Sequence, residues 1–344
     1  MRPLKICLLS AEVSPFAKTG GLGDVTAALA RYLWRRGQDV RLFLPLYSRI
    51  DTRRYRIAPV EFIRDVPVKL GGRELRFTAC TARLPGTALE IYSIDCPGLY
   101  DRPALYTSDG DEHLRFALLG RAALESCQRM GWSPDVVHCN DWHTALVPLE
   151  LKTLYSWDGL FAASKTLLTL HNIGYQGIFP AAAVEDLGLA ADAHLLRQED
   201  LRSDRLNFLK TGILYADLLS TVSPTHAREI QSDEYGMGLQ ELLRQRSDHL
   251  VGILNGVDYE VWNPESDRLI PFHYSREDLA GKEQNKQALL PELGLPYAPE
   301  VPALGLVSRL VVQKGLDLLQ EVLPEALGRF DLRLVALGSG DQNY

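Results

Sequence analysis

The chain has 344 residues, 46% of them hydrophobic and 24% charged, with a formal net charge of −7. That length exceeds one ordinary hydrophobic core and predicts two domains of an ordinary globular protein. The acidic balance, with no long basic stripe, excludes nonspecific nucleic-acid binding, and no apolar run approaches the ~20 residues of a membrane span.

In chain order, "KICLLSAEV" (5–13) reads as a buried strand. Its apolar run is too short for a secretory leader, and Glu12 ends it. Residues 24–36 carry Val25, Leu29, Tyr32 and Leu33 at helical spacing, with Gly37 as the stop. "DVRLFLPLY" (39–47) is the next strand, which completes a βαβ unit and implies a parallel sheet. Two alternating runs around Gly71-Gly72 predict an inserted hairpin near 67–82, and "LEIYSID" (89–95) adds a strand.

From Glu112 helix and strand alternate again. A helix runs to Gly131. "PDVVHCN" (strand), "TALVPLELKTLY" (helix), "KTLLTLHN" (strand), "RLNFLKTGILYA" (helix), "DLLSTVS" (strand) and a helix opened by Pro224 come next, and "HLVGILNGVD" (249–258) closes the series. After 263–278 come a helix near 282–291, a strand at 303–308, a helix at 315–328 and a strand at 331–337. The sequence thus predicts an α/β protein with domains at 1–255 and 256–344. Two strands and two helices are about half of a doubly wound domain, so the second is expected to be only partly present. Cys7, Cys80, Cys96, Cys127 and Cys139 form no C-x-x-C pair and sit mostly in apolar stretches, which predicts buried reduced thiols and a cytoplasmic location.

Ligands on open α/β sheets bind outside the carboxyl ends of the strands. The residues directly after each strand here are polar or glycine: Lys18-Thr19-Gly20-Gly21, then Asn140 to His143, then His171-Asn172, then Asn255-Gly256, then Arg309 and Lys314, then Gly338 and Gly340. Each has a bland reading of its own: glycines for packing, histidines as satisfied polar groups, Asp141 as a helix cap, Asn255-Gly256 as a turn, Arg309 and Lys314 as solvated charges. Their shared position along the strand ends is what points to a cleft. Arg309 and Lys314 beside a helix start at Gly315 suit a dianionic phosphate.

Two look-alikes are set aside. Asp109-Gly110-Asp111 imitates a metal-binding D-x-D, but Asp109 and Glu112 have capping-box spacing ahead of a helix, so capping is expected and no metal. Gly21, Gly23 and Thr26 nearly spell the dinucleotide fingerprint, but the acid expected at the end of the second strand is absent. A nicotinamide dehydrogenase is therefore disfavoured.

"KICLLSAEVSPFAKTGGLGDV", "LYDRP", "VVHCNDWHTAL", "TLHNIGYQG", "STVSPTHAREI", "ILNGVDYEVWNP" and "VSRLVVQKGLDLL" together resemble the bacterial glycogen synthase and plant starch synthase family, from residue 5 to the end. The resemblance implies the GT-B architecture of two Rossmann-like domains. It implies retaining transfer of glucose from ADP-glucose to the non-reducing end of an α-1,4-glucan, without a metal or other cofactor. By motif, Lys18 and the Gly20-Gly21 loop lie at the donor site, Asp141 and His171 lie beside the sugar, Asn255 matches the N-G-V-D asparagine, and Arg309 and Lys314 hold the donor diphosphate. Tyr100 belongs to the substrate-contacting L-Y-D-R-P segment, where Ala104 stands in place of the usual glycine, and Gly338 comes after the last strand of the donor domain. The family's later E-x₇-E and P-S-R-F-E-P-C-G-L segments have no counterpart in these 344 residues. A truncated chain of that kind is expected either to be a synthase lacking part of its donor site or, alternatively, a catalytically inactive α-glucan-binding or regulatory fragment.

Overall fold

Among the described residues, 2–344, the computed structural model holds one ten-stranded sheet and two small ones. The large sheet contains β1 (Lys5–Leu9), β2 (Asp39–Pro45), β3 (Ala58–Pro59), β4 (Val66–Leu70), β5 (Arg73–Arg83), β6 (Glu90–Asp95), β7 (Val136–Asn140) and β8 (Lys165–Leu170). β9 (Ile178–Phe179) and β10 (Leu206–Asn207) form a short ribbon, and β11 (Leu218–Thr221) and β12 (Leu250–Gly252) complete the large sheet. The chain divides into two compact units, one up to Gly256 and one over Val257–Tyr344.

In the first unit seven strands run parallel in the order β12-β11-β8-β7-β1-β2-β6. β5 adds antiparallel to β6, and β3 and β4 pair with β5, which makes the hairpin expected near 67–82 an antiparallel edge. β1 is central: Leu8 sits opposite Leu42 of β2 and His138 of β7. The chain builds outward on one side through β2 and β6, then returns to place β7 on the other flank of β1. That reversal makes the carboxyl ends of β1 and β7 a topological switch point, where the loops diverge and leave a crevice.

The strand bodies are apolar because helices cover both faces of a parallel sheet. Leu8, Leu9, Leu42, Phe43, Leu44, Val137 and Leu168 are fully buried. The helix Glu112–Arg129 is buried along most of its length, so its charged groups need internal partners. Arg121 Nε donates to Glu150 Oε1 at 2.8 Å, and its other nitrogens reach the carbonyls of Lys69 and Leu187. Gly120 lets this helix touch its neighbour, since a Cβ there would lie 2.6 Å from Val147 Cγ2. All five cysteines are free and buried, and among the described residues no helix is long and apolar enough to cross a membrane.

The second unit pairs β13 (Ala303–Val307) and β14 (Arg333–Leu337) in parallel, with helices at Ala280–Glu292 and Leu316–Arg329. Leu304, Val307, Leu318 and Leu337 are exposed there.

Several boundaries differ from the sequence expectation. β1 ends at Leu9 rather than residue 13, because Ser10 Oγ turns the chain by donating to the Glu12 carbonyl at 2.7 Å. The first helix starts at Gly21, not at residue 24, so two of the loop glycines belong to its first turn. The helix expected after β7 is a single 3₁₀ turn, Trp142–Thr144, and then the short helix Val147–Lys152. Asp141 there takes a positive φ of 53°, which breaks the helical path.

Candidate functional site

The crevice begins with the loop after β1. Lys18 leads into Gly20, which stands at the helix N-cap with no side-chain cap, so the first-turn amides open outward as at an anion site. A Cβ on Gly20 or Gly21 would meet nothing within 4 Å, so a ligand can approach this backbone closely. Gly23 differs: a Cβ there would lie 2.8 Å from Lys18 Cβ, so this glycine is required by packing. Lys18 Nζ pairs with Asp24 at 2.9 Å, both side chains substantially exposed.

Behind the loop, Glu12 accepts hydrogen bonds from Thr19 N, Thr19 Oγ1, Gly20 N and Tyr106 Oη. The Tyr106 ring stacks on His143 at 5.0 Å, which in turn meets Phe116 edge-on. Burial, reinforced by the nearby Arg115 guanidinium, drives the His143 pKa down to about 3, so its ring is neutral.

At the end of β7, Asn140 Nδ2 donates to the Leu9 carbonyl at 2.9 Å, which locks β7 to β1 and aims Oδ1 at His171 Nε2, 2.8 Å away. Since that amide oxygen can only accept, His171 carries its proton on Nε2 and, when neutral, presents Nδ1 as an acceptor. Asp141 Oδ1 accepts from the backbone N–H of His171 at 2.7 Å and of Asn172 at 3.3 Å. Its pKa is raised by burial, which outweighs the opposing pull of His171 and of these two amides. Beneath them His138 Nε2 contacts Thr169 Oγ1, which contacts Ser220 Oγ, each at 2.7 Å. Burial, with His171 next, lowers the His138 pKa to about 3.

The second unit has its own cluster. Arg309 comes just after β13, and exposed Lys314 precedes Gly315, the left-handed N-cap of the helix Leu316–Arg329. Gly338 comes directly after β14, and a Cβ there would lie 2.3 Å from the Ser308 carbonyl oxygen. Gly338 therefore lets the two strand ends close on each other, and Leu310 N donates to the Ser339 carbonyl at 2.9 Å.

The first unit thus gathers Lys18, Gly20, Gly21, Asp141 and His171 at neighbouring strand ends, β1, β7 and β8, while Asn255 lies exposed beyond β12. Tyr100 does not join them. Its side chain is fully buried and its hydroxyl donates to the Arg115 carbonyl at 2.7 Å, so it packs in the core. The capping expectation for Asp109 also fails. Asp109 and Asp111 both grip Arg102, at 2.7 and 2.6 Å, and Asp111 stands at the N-cap with no side-chain cap bond. A guanidinium with a carboxylate on each side is a stronger partner than a single amide. Sequence reasoning passed over Glu12 and Tyr106. The available signal was a carboxylate directly after an apolar strand, where a buried charge needs a reason.

Comparison with known proteins identifies the family of the chain. Residues 5–245 match the family described as "Starch synthase catalytic domain". Glycogen synthase 1 of Geobacter sulfurreducens is 44% identical over 345 residues, covering 99% of this chain and 68% of that protein. The glycogen synthase of Anaeromyxobacter sp. is 43% identical over 342 residues, covering 98% of this chain and 70% of that protein. The catalytic domain of starch synthase IV from Arabidopsis thaliana, solved bound to ADP and acarbose, matches with a TM-score of 0.91 at 34% identity, over 99% of this chain and 70% of that one. With a large parallel sheet of that shape and this similarity along nearly its whole length, the chain belongs to the glycogen and starch synthase family of glycosyltransferases.

Proposed function

We propose that the chain acts in glucosyl transfer from ADP-glucose to the non-reducing end of an α-1,4-glucan, with retention at the anomeric carbon, on a GT-B framework of two Rossmann-like domains. The observation that carries this reading is the meeting of Lys18, the open Gly20-Gly21 backbone, Asp141 and His171 at the switch point of the sheet, in a chain of this family. The ADP and acarbose bound to the Arabidopsis relative support a nucleotide and a glucan as the two ligands.

Retaining transfer needs the anomeric carbon to gain cationic character while the diphosphate departs. Fixed positive groups that meet the growing charge on the leaving group lower that barrier, because they favour the transition state over the ground state. Arg309 and Lys314 are assigned to that diphosphate, with the helix N-terminus after Gly315 adding its dipole. In the first unit, Lys18 is assigned to an anionic group at the open Gly20-Gly21 backbone. Asp141 and His171 orient the sugar hydroxyls, and Asn255 and Gly338 border the substrate. No protein nucleophile is assigned, and the departing phosphate takes the acceptor's proton.

The test uses the chain with radiolabelled ADP-glucose and glycogen, and in parallel a glycogen co-sedimentation assay. Label entering the polymer supports transfer. Co-sedimentation without incorporation supports a glucan-binding, non-catalytic role. A chain that neither incorporates label nor sediments with glycogen refutes both readings.

A further inference from the structure

Glu12 is 3% exposed, yet four donors converge on its carboxylate. The donors divide cleanly between its two oxygens. Oε1 accepts from hydroxyls, Thr19 Oγ1 at 2.7 Å and Tyr106 Oη at 2.6 Å. Oε2 accepts from backbone amides, Thr19 N at 2.7 Å and Gly20 N at 3.2 Å. Those amides belong to the two residues between Lys18 and the helix. The rest of the loop is laced from behind: Val13 and Ala17 exchange backbone bonds, Ser14 N donates to the Gly23 carbonyl at 3.0 Å, and Tyr47 Oη donates to the Ala11 carbonyl at 3.0 Å. At Thr19 and Gly20 the hold from behind is Glu12.

We propose that Glu12 is a positioning residue of the donor loop. It grips Thr19 and Gly20, and so fixes where Lys18 and the open helix amides stand relative to a nucleotide diphosphate. The assignment of the ligand rests on the functional reading above. The role belongs to hydrogen-bond geometry and not to charge. A hydroxyl can turn from donor to acceptor, whereas a backbone N–H cannot. A glutamine therefore fits in one orientation, its oxygen on the two amides and its NH₂ on the two hydroxyls. All four contacts survive in Glu12→Gln, and none survives in Glu12→Ala.

The experiment measures hydrogen exchange of the 18–24 segment and ADP binding by calorimetry in the 344-residue chain. Glu12→Ala is expected to speed exchange in that segment and to weaken ADP binding, each by about ten-fold or more, while Glu12→Gln stays within about three-fold of wild type in both. Tyr106→Phe removes a hydroxyl contact but no backbone grip, and is expected to behave like Glu12→Gln. Unchanged exchange in Glu12→Ala overturns the proposal, as does a Glu12→Gln protein that folds yet binds as poorly as Glu12→Ala. A wild-type chain that takes no ADP overturns the functional reading and this proposal together. A wild type that binds ADP, with Glu12→Ala binding equally well, overturns this proposal alone.

Discussion

Asp141 adopts φ 53° and ψ −171°, a conformation that a residue with a Cβ rarely holds, at a cost of about 1–3 kcal/mol. Its carboxylate offsets that cost by accepting from the N–H groups of His171 and Asn172, and bonds to a charged group contribute about 1.5–3 kcal/mol each. Alanine keeps the backbone strain and loses both bonds, so Asp141→Ala is expected to lose about 3 kcal/mol of stability. Glycine also loses both bonds but relieves the strain. Its looser unfolded chain takes back about 0.4–1 kcal/mol, which leaves Asp141→Gly about 1 kcal/mol more stable than Asp141→Ala. For a unit of this size about 2–4 °C of melting temperature corresponds to each kcal/mol. Calorimetry should therefore rank wild type first, glycine about 2–4 °C above alanine, and alanine last. Asparagine keeps the accepting oxygen and should melt close to wild type. The strain argument also separates stability from activity. Asp141→Gly, though the more stable of the two, should transfer no more glucose than Asp141→Ala, because in both the His171 and Asn172 amides lose their anchor. A glycine variant that melts at or below the alanine variant refutes the account of this backbone.

Lys18→Ala should lower transfer from ADP-glucose by orders of magnitude, while its melting temperature barely moves, since the exposed Lys18–Asp24 pair contributes at most about 1 kcal/mol; near-normal incorporation of label would sink the donor-site assignment. The neutral His138 and His143 have pKa values lowered to about 3, so the unfolded chain binds more protons than the folded one between there and the ordinary histidine range. Stability is then full above that range and falls as pH drops below it, by about 1.4 kcal/mol per pH unit for each ring, so His138→Gln should flatten the urea-midpoint profile between roughly pH 6 and 5, and an unchanged slope would contradict the buried neutral ring. Asp141, with its pKa raised, acts in the opposite sense. Gly177 has φ 61° and a Cβ there would lie 2.3 Å from the Trp142 ring, whereas Gly37, at φ 78°, has open space around it. Gly37→Ala should cost about 1 kcal/mol and Gly177→Ala clearly more, in paired melts.

The order of strands and the polar residues at their carboxyl ends were legible because both arise from local pattern: apolar runs, helical spacing, and a change of residue type where a strand ends. Lys18, Asp141 and His171 were found that way. Contacts made across long sequence separations were not legible. Tyr100 looks like a loop residue in "LYDRP", but its ring is enclosed by a core that includes Arg115, a residue with no such signature. Asp109 and Glu112 had the spacing of a capping box, and only the fold shows that Asp109, with Asp111, pairs with Arg102. Glu12 was read as the residue that ends an apolar run. One of its four contacts comes from Tyr106, 94 positions away in sequence.

The glycine run shows why its resemblance to the dinucleotide fingerprint is incomplete. In that fingerprint the second glycine admits the pyrophosphate and the third lets helix and strand pack closely. Here the second position, Gly23, is closed by Lys18 Cβ at 2.8 Å and serves packing. The third position is Thr26, whose hydroxyl lies 3.2 Å from Ser10 Oγ and donates to the Leu22 carbonyl, so a side chain joins helix to strand where a glycine would have let them touch. After β2, where the fingerprint wants an acid, Tyr47 is buried and tied to Ala11. The second and third positions of the dinucleotide device, and the place of its acid, have been given to packing. The backbone left open to a ligand is Gly20-Gly21, one step earlier in the chain and directly after Lys18 and Thr19. A cation ahead of the glycines, with the loop gripped from behind by Glu12, sets this loop apart from the dinucleotide kind.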